Sequence, residues 1–98
     1  MSRLRLAKSA IADLDEIWTY IASREGVEAA ERFVSFLTSK FPLLARNPGL
    51  GRNRSDLRPG LRTFPVGNYR IYYRQQAAGV VRILYVRHAA RNEGKLFP

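Results

Sequence analysis

Hydrophobic and polar positions change their period twice along this chain. Ser2–Leu6 alternates, with Arg3 and Arg5 set against Leu4 and Leu6. That pattern predicts a short edge strand whose arginines blunt an exposed sheet edge. From Ser9 the period lengthens: Ile11, Leu14, Ile17, Trp18 and Ile21 recur at helical spacing, and Gly26 punctuates the run near residue 25. Ser9 is the expected N-cap. Asp13, Asp15 and Glu16 lie in the N-terminal half of this helix, where its dipole favours acids, and Asp13, Glu16 and Tyr20 are expected on its polar side. Ala30, Phe33, Val34, Leu37, Phe41 and Leu44 form the stripe of a second helix, with Glu28, Glu31 and Arg32 left polar. Pro42 lacks the N–H that a helix interior needs. It predicts a kink, or a break and restart with Pro42 in the first turn of a short extension.

Residues 47–60 are dense in Asn, Pro, Gly and Ser and predict a long connection, of a length that in compact domains tends to be functional. Beyond it the period shortens to that of strands at Leu61–Val66, Tyr69–Gln75 and Val80–His88. Gly67-Asn68 is a two-residue hairpin turn, and Ala77-Ala78-Gly79 makes the next one. Val80–Val86 is apolar on both faces apart from Arg82 and is expected to be the central strand. The order predicts one α+β domain over residues 1–98: a short N-terminal strand, a two-helix hairpin, then a three-stranded antiparallel meander with both helices on one sheet face.

Charge adds a direction to this picture. Residues 1–49 carry seven basic and six acidic side chains, whereas residues 50–98 carry ten and two. Fourteen of the seventeen basic residues are arginine, whose planar fork suits phosphate and carboxylate partners. Such asymmetry implies an anionic partner: nucleic acid, a nucleoprotein surface or an acidic protein. The chain has no cysteine, which excludes disulfides and thiolate metal sites and fits a reducing cytosol. The early acids Asp13, Asp15 and Glu16 do not fit a signal peptide, and no apolar run approaches the ~20 residues a membrane-spanning helix needs. A cytoplasmic location is expected.

Several segments, in order and spacing, resemble one family. Ala12-Asp13-Leu14-Asp15-Glu16-Ile17-Trp18-Thr19-Tyr20-Ile21 resembles the first helix of ParE-like toxins in the RelE/ParE superfamily. Gly26, Ala30 and Phe33 match the second helix, and Leu44, Pro48 and Gly51 match its exit. Asp56–Arg62 followed by Phe64, Gly67, Tyr69, Ile71 and Tyr73 matches the sheet, and Val86–Arg91 matches the ending. Ala89 and Asn92 depart from the glycine and aspartate common there, and bear on the C-terminal segment. The resemblance implies a bacterial type II toxin that poisons DNA gyrase, is neutralised by a ParD-like antitoxin and meets operator DNA only through the antitoxin complex.

The residues themselves leave alternatives open. A ribosome-dependent messenger ribonuclease of the same superfamily would need acid–base and phosphate-neutralising groups, which Arg62, Arg82, His88 and Arg91 could supply. The favoured reading of His88 is a structural strand end. For gyrase, the expected target surface is Arg58, Arg62, Arg87, His88 and Arg91, provided the meander brings its two ends together. Arg70, Tyr72 and Arg74 alternate onto one sheet face that Arg82 can share. This face, with Phe33 and Leu37 of the second helix, is the expected seat of an acidic antitoxin tail. A mixed Arg/Tyr sheet also suits nucleic acid. No metal or cofactor is expected: the C-terminal half has only Asp56 and Glu93 as carboxylates, and no Gly-rich phosphate loop occurs. A basic binding module without toxicity is the third reading.

Overall fold

A computed structural model describes residues 3–90. Strand β1 (Leu4–Leu6) leads into helices α1 (Lys8–Glu25), α2 (Val27–Thr38) and α3 (Lys40–Arg46). A 3₁₀ turn at Pro48–Leu50 follows, then β2 (Arg52–Asn53), β3 (Leu61–Val66), β4 (Tyr69–Gln75) and β5 (Val81–His88). The five strands lie in the order β1-β5-β4-β3-β2, with β1 parallel to β5 and every other neighbour antiparallel. The helices cover one face, where Ile17, Ile21, Ala30, Leu37, Phe41 and Leu44 pack against Val66, Ile71, Tyr73, Val81, Ile83 and Val86. Gly26 joins α1 to α2 at φ 98°, which only glycine adopts without strain. Pro42 is the third residue of α3, after a break at Ser39, so the restart is the outcome and the missing N–H costs no helical bond.

Expectations about strand order and helix capping are corrected. β4, not β5, is the middle strand; β5 lies between β4 and the short parallel β1. β2 is an additional strand, and its two exposed residues are too few to carry an alternating pattern. Ser9 is not an N-cap, because α1 begins after Ala7 and the Ser9 hydroxyl donates to Leu84 O at 2.6 Å.

That last bond belongs to a larger arrangement. β1 pairs with only part of β5, ending at Leu6↔Ile83, which would leave the rest of that edge with unpaired backbone groups. Helix α1 takes over. Ala7 N donates to Ile83 O, Ser9 Oγ to Leu84 O, and Val86 N to Asp13 Oδ2 at 2.9 Å. Ser9 and Asp13 are four residues apart and so share one helix face, in line with the buried Ile17 and Ile21. Asp13 is therefore buried, not on the polar side, and Ile11 is half exposed in its stead.

The face away from the helices has a smaller core. A bulge leaves Leu84 without its own partner on β4, since Tyr72 pairs with Tyr85 and Tyr73 with Ile83. Leu84, Tyr72, Leu61 and Ala7 are buried there, with Leu57 of the 54–60 loop and Tyr85 against them. Tyr72 is thus a core residue and not an exposed platform. Leu37, on the helical side, is fully buried as well. Thr63 shares this second face, and its Oγ1 is buried with no hydrogen-bond partner. An unsatisfied hydroxyl weakens a core that an isosteric methyl would not. Thr63→Val is therefore expected to raise stability by roughly 1 kcal/mol, read as a higher urea midpoint at unchanged slope.

The outer edge of β3 is protected by composition. Leu61 O accepts Arg54 N–H, so Leu61, Thr63 and Pro65 direct their backbone groups outward. β2 covers this edge only at Arg52↔Thr63 and Asn53↔Arg62. The next outward residue, Pro65, has no N–H to offer an incoming strand.

Candidate functional site

At the C-terminal end of β5 the fold opens into a groove of about 610 Å³ between α1 and the β3–β4 turn. Glu16 and Tyr20 form its helical wall; Phe33, Tyr69 and His88 line the other side. These three rings stack in series: Phe33 to Tyr69 at 5.5 Å, and Tyr69 to His88 edge-on at 5.4 Å. Burial raises the Tyr69 phenol above its ordinary value, and nearby Tyr20 adds to this, so at neutral pH Tyr69 stays a neutral hydroxyl. Tyr20 is 54% exposed, with the Arg24 guanidinium 4.9 Å from its ring centre. His88 Nδ1 accepts Ala90 N–H at 3.1 Å, which places the ring proton on Nε2. Arg87, beside it, is drawn in by Asp13 through Nε at 2.8 Å while its guanidinium lies 4.8 Å from the Tyr85 ring centre.

The arginines expected on the sheet do share the face away from the helices, and the register puts them directly opposite one another. Arg70 faces Arg87, Arg74 faces Arg82, and Arg82 also faces Arg5 on β1. Like charges opposed across strands are destabilising without anions between them. Arg62 is elsewhere: it pairs with Tyr73 on the helical face and donates from Nη1 to Gly51 O at 2.8 Å.

The antiparallel meander separates the residues expected to form a single target surface. Arg62 sits level with Tyr73, whereas His88 sits level with Tyr69, four residues earlier on β4. That is about 13 Å of strand. Arg58, in the loop before β3, belongs to the Arg62 end; Arg87 and His88 occupy the other, and Arg91 lies outside the described residues. The ribonuclease set also fails to converge. Arg62 and Arg82 point to opposite faces of the sheet, and His88 is six residues from Arg82 along β5. Among the described residues no group of His, Cys, Asp or Glu could hold a metal ion.

Two features lay beyond the sequence reading. The run Ser9, Asp13, Ile17, Ile21 places two polar residues in the column of the buried stripe, a signal of edge capping that the dipole explanation of the acids obscured. The other is Tyr73, whose Oη accepts Gly51 N–H and donates to Pro48 O, each at 2.7 Å.

Residues 4–93 match the family described as "ParE toxin of type II toxin-antitoxin system, parDE". The chain belongs to the ParE toxin family. It is 39% identical over 93 residues to Toxin ParE1 of Caulobacter vibrioides, covering 94% of each chain. It is 34% identical over 87 residues to Toxin ParE1 of Mycobacterium tuberculosis, covering 89% of each. A solved structure of the chromosomal ParDE TA system from P. aeruginosa superposes with a TM-score of 0.76 at 26% identity, covering 90% of this chain and 95% of that one. The protein is a ParE toxin of a type II toxin–antitoxin system, with the family's α+β fold. Among the described residues no helix is long and apolar enough to cross a membrane.

Proposed function

We propose that this ParE-family toxin acts in the bacterial cytoplasm by binding DNA gyrase, without chemistry of its own, and that a ParD-like antitoxin neutralises it. The observation that carries the non-catalytic reading is the dispersal of Arg62, Arg82 and His88 over two faces and two ends of the sheet. General acid–base catalysis needs its groups within hydrogen-bond reach of one reacting centre. The polar partner of His88 among the described residues is a backbone N–H. The antitoxin's anchor is the aromatic groove, where Phe33, Tyr69 and the exposed Tyr20 offer the kind of side chain that dominates interface energies. Arg87 lines it on the sheet side, and operator DNA is recognised through the antitoxin. Gyrase engages the Arg87–His88 end together with Arg91, with Arg58 and Arg62 about 13 Å of strand away at the other end.

The test is supercoiling by purified gyrase with added toxin, beside an in vitro translation control. Loss of supercoiling with trapped cleavage complex and normal translation is expected. Halted translation with normal supercoiling would instead rule gyrase out, and specific messenger cleavage beside it would favour the ribonuclease reading. His88→Ala is expected to keep its toxicity within a few-fold, whereas loss of a proton-transfer group would slow a ribonuclease by roughly 10²–10⁴-fold.

A further inference from the structure

We propose that the row Arg5–Arg82–Arg74 is a sequence-independent contact for the phosphate backbone of duplex DNA, made by the toxin alone. The three residues lie on β1, β5 and β4 in direct cross-strand register. They alternate with Leu4, Leu6, Val81, Ile83 and Tyr73 of the helical core, so all three project from the opposite face. Neighbouring strands are about 4.8 Å apart, which lines up three guanidiniums over about 10 Å. No carboxylate among the described residues pairs with any of them. Arg5 and Arg82 are exposed, and the half-buried Arg74 packs its stem over Gly60.

The surroundings select the ligand. A docked peptide takes most of its affinity from apolar anchors. The large exposed apolar residues among those described, Ile11, Tyr20, Val27, Phe36 and Leu50, lie on α1, α2 and the 3₁₀ turn, none of them on this face. Single-stranded nucleic acid is held by bases stacked on open aromatic rings. Here Tyr72 is buried and Tyr85 lies under the Arg87 guanidinium. A flat arginine row without anchors or stacking rings matches a polyanion that gains by counterion release and is read through its backbone. The site is separate from the aromatic groove and does not depend on gyrase being the target.

The experiment uses the full chain and a fluorescent duplex of arbitrary sequence, with neither gyrase nor antitoxin present. Affinity is measured by anisotropy between 50 and 200 mM salt. Three phosphate contacts predict a slope of log K on log salt near −2.7, about a 40-fold loss over that range. Arg5→Gln, Arg74→Gln and Arg82→Gln should each reduce the slope by about 0.9. As a control of equal charge, Arg24→Gln, Arg32→Gln and Arg46→Gln together, all on the helices, should leave the slope nearly unchanged. Melting curves verify that each variant is folded, and the single variants serve if a triple variant is not. Equal slopes for both triple variants, or a wild-type slope insensitive to the three strand positions, would overturn the proposal. So would tighter binding of polyglutamate than of duplex at equal salt, which would make an acidic protein segment the occupant.

Discussion

Asp13→Ala is expected to destabilise the protein by about 3 kcal/mol, the range found when one partner of a buried ion pair is removed. For a chain of this size that lowers Tm by at least about 12 °C. Asp13 is 5% exposed, and its carboxylate serves two donors at once, the Val86 N–H and the Arg87 Nε. Alanine would strand both: a buried backbone N–H at the sheet edge, and a guanidinium that is itself mostly buried. Asp13→Asn keeps an acceptor for Val86 and gives up only the charge, so a cost nearer 1–2 kcal/mol is expected. Asp13→Ala and Arg87→Ala should be strongly non-additive in a double-mutant cycle, because each removes the same contact. A loss below about 1 kcal/mol for Asp13→Ala would mean that water satisfies the β5 edge as well as the helix does.

Asp13 also marks where sequence reading reached its limit. Both helices, the three long strands, the Gly67-Asn68 turn and an interruption at Pro42 were legible, because each announces itself by local periodicity or by backbone chemistry confined to a few residues. Pairing beyond neighbours was not. A parallel partnership between Leu4–Leu6 and Val81–Ile83 joins segments more than seventy residues apart, and nothing local specifies it. Once β1 takes that place, β5 acquires a neighbour on each side, and β2 beyond β3 keeps the middle of the five strands at β4. The arginine positions on alternating strands were correctly given a common face. Their opposition as Arg5–Arg82–Arg74 follows only from the register. Tyr72 had the alternation of an exposed residue, but the Leu84 bulge and the Leu57 loop cover it. His88 and Arg62, plausible partners on chemistry alone, are held apart by the antiparallel order of the meander.

Gly51→Ala is the second substitution with a large expected effect, a loss of about 2–4 kcal/mol. A Cβ at this position would lie within 2.7–2.8 Å of Tyr73 Cε1 and Cζ and closer still to its hydroxyl. Tyr73 is fully buried in the centre of the sheet and cannot step aside, so overpacking forces the 48–53 segment away from β3. The same movement breaks the bonds through which Tyr73 Oη ties Gly51 N–H and Pro48 O to the core. In a Tyr73→Leu background, already weakened by its own cavity, the added Cβ meets no ring. Gly51→Ala should then cost less than about 1 kcal/mol, and this coupling separates a steric cause from a backbone one. The phenol gives an independent readout. Burial raises its ionisation above the ordinary value near 10, with the Gly51 N–H and Arg62 opposing that shift. Because the folded value is the higher one, the stabilisation is complete below about pH 10 and is lost as pH rises through the folded value. Tyr69 is raised in the same direction, so Tyr73→Phe should flatten the alkaline fall in stability without abolishing it. An alkaline limb identical in wild type and Tyr73→Phe would show that Tyr73 ionises equally in the folded and unfolded chain.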